Sequence, residues 1–551
     1  MARKDFEFSS GENEGRSGFT RRDFLRMAGV TGAAALLGTG SSWRGKAETR
    51  KGGSLQAVVQ HGLDSFNQTK TGWMAEPTWA IHEPLISRDW DNQYAPGLAQ
   101  SWQFSEGGTK LTLKLREGVE FHDGTKFDAD VIKWYFEEFM GGNTQYIIDP
   151  IGKVKTPGSH EVVLELKWPY VNLLYNLSNA YGGVVPSPTA VKEVGKENYG
   201  VDTVVGTGPF KVSERVGNSE ILLERFEKYD WGPPWSENGG PAYLDQVRYK
   251  VIPEDVARVA ELETGGVDAV VTGVPTIKLS QFEQDPNIDV ISGPDRQVSW
   301  IAFNNDEEKS PLVGGSLKMR KALSLAIDRE VIHQGVYDGT GQINGTYLPP
   351  MVPAYDIPEK HWHKYDPQKA KDLLQEAGWT DSDGDGIREK GGEKLKLKTI
   401  MVNRTKDRRT GVILKELYQK VGVELQLVQM DENALTSAQK SGEWDLCVED
   451  YVWDNADILQ WFFCSSQLPY PNWFGVSDPK LDEMIEEVAM RQPTVEERTE
   501  KFKEAHIYLL DEIVPAAPLH TRVLLQAVRK RVNGWKYKLL NRPMLNVWKE
   551  E

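Results

Sequence analysis

The chain has 551 residues, 39% apolar and 10% aromatic, which excludes wholesale disorder and exceeds what one compact core holds; such a length corresponds to about three domain-sized units. A formal net charge of -16, with no basic stripe to neutralise phosphates, argues against nucleic acid as a partner. Only Cys447 and Cys464 are present, so no disulfide framework and no four-cysteine metal site can form. The pair is either two buried thiols or one disulfide in an exported protein. Eighteen tryptophans are many, and such a supply suits a protein that lines a cleft with rings.

In chain order, Thr20-Arg21-Arg22-Asp23-Phe24-Leu25-Arg26 precedes a glycine-diluted apolar run from Met27 to Gly40 that is too short to span a bilayer. This resembles a twin-arginine export signal, with Thr20 for the commoner Ser and Arg26 for Lys. Gly45-Lys46-Ala47 offers a small-x-small cleavage site before Glu48, and no cysteine follows the run to take a lipid. The expectation is a soluble periplasmic protein, exported by the twin-arginine route over residues 1-47, with no lipid anchor and no membrane-inserted segment.

After the signal, Ser54 to Val59 reads as a strand, followed by a polar loop through Gly72, Trp73 and Trp79. Leu111, Leu113 and Leu115 alternate with Thr and Lys as a half-buried strand. Asp128 or Asp130 caps the helix that carries Trp134 and Tyr135. Met319, Ala322, Leu323, Ala326 and Ile327 form one face of an amphipathic helix. Asp366 caps a helix with Pro367 at its first position, Ala370, Leu373, Leu374 and Ala377 as its stripe, and Gly378 as its stop. Asp478-Pro479 repeats that start, and Thr494 with Glu497 makes a capping box. Val423, Leu425 and Leu427 alternate as a strand, and the apolar run Leu446 to Val448 is another. Helices alternating with strands imply α/β lobes with covered sheets.

The stretch Glu443 to Ser465 draws the eye chemically. Leu446 to Val448 delivers the chain into Glu449, Asp450, Tyr451, Trp453, Asp454 and Asp457, carboxylates interleaved with aromatics where a strand gives way to a loop. Rings supply contact area and a cation-attracting face, and a partly unpaired carboxylate calls for a cationic partner. The alternative reading is a solvated loop beside an aromatic cluster. Elsewhere, His122 in Phe-His-Asp-Gly-Thr reads as a turn. Asp381, Asp383, Asp385 and Gly386 match the first half of a calcium loop, but Gly392 stands where the bidentate Glu belongs, and Asp-Gly pairs are equally good turn formers. His361 and His363 have chelating spacing with nothing else converging. There is no Gly-x-Ser-x-Gly elbow and no P-loop, so neither catalysis nor a metal or cofactor is expected.

Several motifs occur in a telling order: Pro96-Gly97-Leu98-Ala99-Gln100-Ser101-Trp102, Leu115-Arg116-Glu117-Gly118-Val119 leading to Phe121-His122-Asp123-Gly124-Thr125, Gly206-Thr207-Gly208-Pro209-Phe210, Gly266-Val267-Asp268-Ala269-Val270 and Met319 to Arg329. The chain resembles extracellular solute-binding protein family 5, the peptide/nickel-type binding proteins of ABC importers, over nearly all of the mature sequence. The resemblance implies an α/β two-lobe periplasmic binding protein of type II, cluster C, with an extra subdomain on the first lobe. The first lobe would comprise 48-85, 204-300 and 516-551, the extra subdomain 86-203, and the second lobe 301-515. It also implies a monomer that captures a small ligand and delivers it to an ABC permease with separate ATPase subunits. Peptide-binding relatives hold the ligand's α-amino group on an Asp in a stretch like Gly-Asp-Asn-x-Asp-Pro. Trp453-Asp454-Asn455-Ala456-Asp457 resembles it, with Ile458 where Pro is common, and places Asp454 at the amino-binding position. Ligand main chain would pair near Tyr451 to Trp453 and near Thr71 to Trp73, with Trp73, Trp79, Trp300, Asn304, Trp461 and Trp473 as further candidates. A short peptide is the favoured ligand. An oligosaccharide stacking on the tryptophans, a nickel chelate, and an exported hydrolase are the alternatives.

Overall fold

The structure, a computed structural model, describes residues 50-63, 66-71, 74-201, 203-537 and 544-550. The export-signal motif and Trp73 therefore lie outside the described residues.

Fourteen strands carry the architecture. They are β1 (Ser54–Val59), β2 (Ala99–Ser105), β3 (Lys110–Leu115), β4 (Ile151–Gly158), β5 (Glu161–Leu166), β6 (Phe210–Val216), β7 (Glu220–Arg225), β8 (Gln246–Val251), β9 (Ala269–Val270), β10 (Ile288–Phe303), β11 (Lys396–Val402), β12 (Glu424–Met430), β13 (Leu446–Val452) and β14 (Ala516–Arg529). A continuous sheet runs β12-β11-β13-β10-β14-β9-β1-β8-β7-β6, and β2, β3, β5 and β4 form a separate antiparallel sheet in that order.

The two longest strands, β10 and β14, join the lobes. They pair antiparallel from Ile288 opposite Arg529 to Ala302 opposite Ala516. At one end β14 pairs with β9, and at the other β10 pairs with β13. Their ladder breaks between Pro294 and Val298, and again between Ser299 and Trp300. Such irregularities bend a strand and re-aim its side chains, which is what a crossing between two lobes requires.

The second-lobe sheet is covered on both faces, which explains its apolar runs. Successive side chains point to opposite faces. Val298, Trp300, Ala302 and Cys447 enter one core with Phe462, Phe463 and Phe474, while Ile301, Phe303, Leu446 and Val448 enter another with Met319, Leu323 and Leu374. The first-lobe core extends from Leu55 through the four-stranded sheet to Val547 without interruption.

The predicted caps form. Asp128 accepts from the amides of Asp130 and Val131, Asp366 from Lys369 at 2.9 Å, and Asp478 from Leu481 at 2.8 Å. Thr494 accepts the Glu497 amide at 3.2 Å, but the Glu497 carboxylate takes the Thr494 hydroxyl at 2.8 Å rather than closing the box onto main chain. Gly378 ends its helix with φ +88°, a region open to glycine at little steric cost. Cys447 and Cys464 are buried free thiols.

Candidate ligand site between the lobes

The strand that begins at Leu446 continues to Val452, four residues beyond the apolar run, so Glu449, Asp450 and Tyr451 lie on β13 and the loop begins at Trp453. The cause is β10: Gln297, Val298 and Ser299 pair with Val452, Tyr451 and Asp450, and hold the chain extended. The Trp453 amide then donates to the Arg296 carbonyl at 3.1 Å, fixing where the loop leaves the hinge. On its other side β13 pairs with β11 only through Met401 opposite Val448. Among the described residues, 449-452 therefore have no strand partner on that edge.

Charges beside this edge are heavily paired. Lys406 meets Asp450 at 2.6 Å and Arg404 lies 3.8 Å from it. Burial raises the Asp450 pKa, yet Lys406 together with Arg522 and Arg404 outweighs it and the net shift is downward. Glu449 receives the Gln439 amide at 3.0 Å and the Asp450 amide at 3.1 Å. Burial, helped by the neighbouring Asp450 charge, pushes its carboxyl up to about 7. A pKa raised in the folded state gives stability that is full below the unfolded value near 4.5 and lost as pH rises through about 7. Glu449→Gln is expected to remove that loss and raise stability at pH 8 by roughly 2 kcal/mol, with little change at pH 4.5. Urea unfolding at the two pH values checks it; equal shifts at both would deny Glu449 this role.

Asp454 sits where three parts of the chain converge. Its side chain is 5% exposed. Oδ1 accepts the hydroxyl of Tyr175, which belongs to the segment following the four-stranded sheet. The Arg296 guanidinium lies 4.0 Å from the same oxygen. Oδ2 is buried and has no hydrogen-bond partner among the described residues, and the same holds for Nε of Arg296 and Nε1 of Trp453. A buried carboxylate oxygen left without a donor costs free energy until a ligand supplies one. Tyr175 is itself held by Arg88, whose guanidinium lies 5.0 Å from the ring centre. The rings around Asp454 form a wall: Trp453 tilts on Trp461 at 5.3 Å and on Tyr451 at 6.1 Å, and Trp461 meets Tyr146 edge-on at 5.3 Å across the lobe junction.

Next to it, a buried polar network ties the same two bodies. Asp457 pairs with Arg498 and accepts the Asn172 amide, while the Asn455 amide donates to Asn172 at 2.9 Å. Burial outweighs the Arg498 charge and leaves the Asp457 carboxyl above its ordinary pKa.

Trp300 is 2% exposed, packed edge-on against Phe462 and Phe474. Trp473 stacks on Phe474 at 4.1 Å within the same core. Asn304 spends its amide on the carbonyls of Gly442 and Trp444, both at 2.8 Å. Trp79 packs with Ala180 and Val184 in a small satellite cluster. The structure thus brings together Tyr451, Trp453, Asp454 and Trp461, packs Trp300, Asn304 and Trp473 into the core, and sets Trp79 beside Ala180, the neighbour in sequence of Tyr181. Sequence reasoning missed Tyr175, Asn172, Arg296 and Arg498. Arg296 had a signal, as the one cation of β10, set between Asp295 and Gln297 just ahead of the apolar end of the strand; Tyr175 and Asn172 had none.

Asp381, Asp383 and Asp385 lie within 4.8 Å of one another on the surface, and Lys394 pairs with the last two. His361 pairs with Asp511 at 2.7 Å, and burial lowers His363 to about 4. Among the described residues neither histidine belongs to a cluster of three or more candidate metal ligands. No helix among them is long and apolar enough to cross a membrane.

Comparison with known proteins places this geometry. The oligopeptide-binding protein AppA of Bacillus subtilis is 28% identical over 465 residues, covering 80% of each chain. The nickel-binding periplasmic protein of Escherichia coli is 27% identical over 421 residues, covering 74% of this chain and 78% of its own. The solved structure of Bacillus subtilis AppA with a nonapeptide superposes with a TM-score of 0.74 at 24% identity, covering 92% of this chain and all of the other, and shows the shared two-lobe fold. Residues 93–467 match the family model for the middle region of these proteins, and the chain belongs to the bacterial extracellular solute-binding proteins, family 5.

Proposed function

We propose that the chain is the periplasmic capture component of an ABC importer, that it takes a short peptide between its lobes, and that Asp454 receives the peptide's terminal ammonium. The buried Oδ2 of Asp454 without a donor carries the reading. An ammonium supplies the donor and the charge, and a charge-assisted bond in a desolvated site is strong. The edge of β13 beyond Val448 has no strand partner among the described residues and, although Glu449 takes the Asp450 amide, it offers a peptide main chain a place to pair toward Val452, as in strand addition to a sheet. Relatives named as oligopeptide- and dipeptide-binding proteins support the ligand class. Against an oligosaccharide stands the fate of the rings: Trp300 and Trp473 lie in the core, which leaves few faces for sugar stacking.

A ligand that touches both lobes binds the closed form better and shifts a hinge equilibrium toward it. The moving bodies would be 48-85, 204-300 and 516-551 with 86-203 on one side, and 301-515 on the other. A membrane permease with its own ATPase subunits would read the closed shape, and the twin-arginine motif at Thr20–Arg26 would deliver the protein to it.

Asp454→Ala is expected to weaken binding of a short alanine peptide by about 2–3 kcal/mol in calorimetry. The N-acetylated peptide should bind wild type about as poorly as the free peptide binds the variant. Unchanged affinity in the variant would remove Asp454 from the site.

A further inference from the structure

Arg296 is the one cation beside Asp454 at the lobe junction whose guanidinium makes no hydrogen bond among the described residues. Its contact with Asp454 is 4.0 Å, an ion pair without a hydrogen bond, and its Nε is buried without a partner. Its neighbour Asp295 accepts the Arg296 amide at 2.6 Å and is otherwise engaged with Arg522. Arg296 also sits inside the ladder break between Pro294 and Val298, where three residues of β10 oppose one of β14. Breaks of this kind re-aim a side chain away from the regular pleat, and here the neighbours are Asp454, Tyr175, Asp295 and Tyr181. Burial works against the Arg296 charge, and those neighbours together hold its pKa above the ordinary value, so the guanidinium stays charged.

The unsatisfied groups are therefore of both signs, an acceptor on Asp454 and donors on Arg296. An ammonium alone would fill the first, and would be placed next to a like charge while the guanidinium stayed without an acceptor. A ligand carrying an anion beside its ammonium fills both and adds no net charge. Within a peptide the first residue's α-carboxyl is consumed in the amide, so the anion must come from that residue's side chain. An N-terminal aspartate carries ammonium and carboxylate on adjacent carbons. A planar guanidinium fork suits a carboxylate with two parallel N–H···O bonds.

We propose that Arg296 is a specificity-determining residue that selects peptides whose first residue is acidic, Arg296 taking the side-chain carboxylate while Asp454 takes the ammonium. This rests on the peptide reading above. The test is calorimetry on the full exported chain with Asp-Ala-Ala, Asn-Ala-Ala and Ala-Ala-Ala. Wild type is expected to bind Asp-Ala-Ala about tenfold more tightly than Asn-Ala-Ala, the advantage of a charged over a neutral acceptor. Arg296→Gln should bring the two within roughly twofold of each other and leave Ala-Ala-Ala bound at least as well as before. The comparison on wild type needs no variant, so a poorly folding Arg296→Gln would not shelter the idea. Equal affinities for Asp-Ala-Ala and Asn-Ala-Ala on wild type would overturn the selection while leaving the peptide reading standing. A preference that survives Arg296→Gln would overturn the assignment to Arg296. No binding of any of the three would overturn the peptide reading and this inference with it.

Discussion

Arg498→Ala is expected to unfold with about 3–5 kcal/mol less stability than wild type at pH 8, the cost of leaving a buried carboxylate without its counter-ion. Arg498 and Asp457 are nearly closed off, at 10% and 9% side-chain exposure. The Asn172 amide would remain on Asp457, but a neutral donor does not replace a charge. The loss also includes packing, because the guanidinium lies over Phe502 at 4.5 Å. Burial already outweighs Arg498 in setting the Asp457 pKa, so removing the cation drives the carboxyl further up and lets it take a proton. The sign follows: with the folded pKa raised, the destabilisation should shrink as pH falls toward the unfolded value and grow as it rises. Urea titrations at pH 5 and pH 8 read both parts. The double variant Asp457→Asn, Arg498→Gln leaves no buried charge and should be more stable at pH 8 than Arg498→Ala alone. A single-variant cost under about 1 kcal/mol at pH 8 would mean that the pair behaves like a surface salt bridge.

Trp300→Ala is expected to cost a comparable 3–5 kcal/mol, roughly, as truncation of a large core ring does. Two rings, Phe462 and Phe474, pack on its edges at 5.7 and 5.8 Å, and neither can collapse into the space without losing its own contacts. Its indole N–H has no acceptor, so Trp300→Phe discards an unsatisfied donor along with some volume and should cost much less, about 1 kcal/mol. Peptide affinity, measured below the unfolding transition, should be unchanged in the Phe variant. A large affinity loss without a stability loss would put this ring at the ligand instead of in the core.

The local signals in the sequence carried far because each had a short-range cause. Asp366 with Pro367, Asp478 with Pro479 and Gly378 punctuate helices through contacts three or four residues away, and they do so in the fold. The acidic-aromatic stretch was visible for the same reason: Tyr451, Trp453, Asp454 and Trp461 are neighbours in sequence before they are neighbours in space. What sequence left dark is long-range. Tyr175 reaches Asp454 across 279 residues of sequence and Asn172 reaches Asp457 across 285, and a polar side chain in an apolar segment does not announce its distant partner. The extension of β13 past Val448 was hidden because acidic residues are poor strand formers alone. Pairing with β10 overrides that preference. Tryptophan count misled in the opposite direction, since ring chemistry is the same in a core as in a cleft and only packing tells Trp300 from Trp453.

β14 has a consequence for biosynthesis. It is laid down last among the fourteen strands, yet it lies between β10 and β9 and contributes side chains to the cores of both lobes. A ribosome that has synthesised everything up to residue 515 has made neither lobe whole, because the continuous sheet still lacks the strand between β10 and β9. Completion of the sheet that joins the lobes therefore waits until Ala516 to Arg529 has emerged.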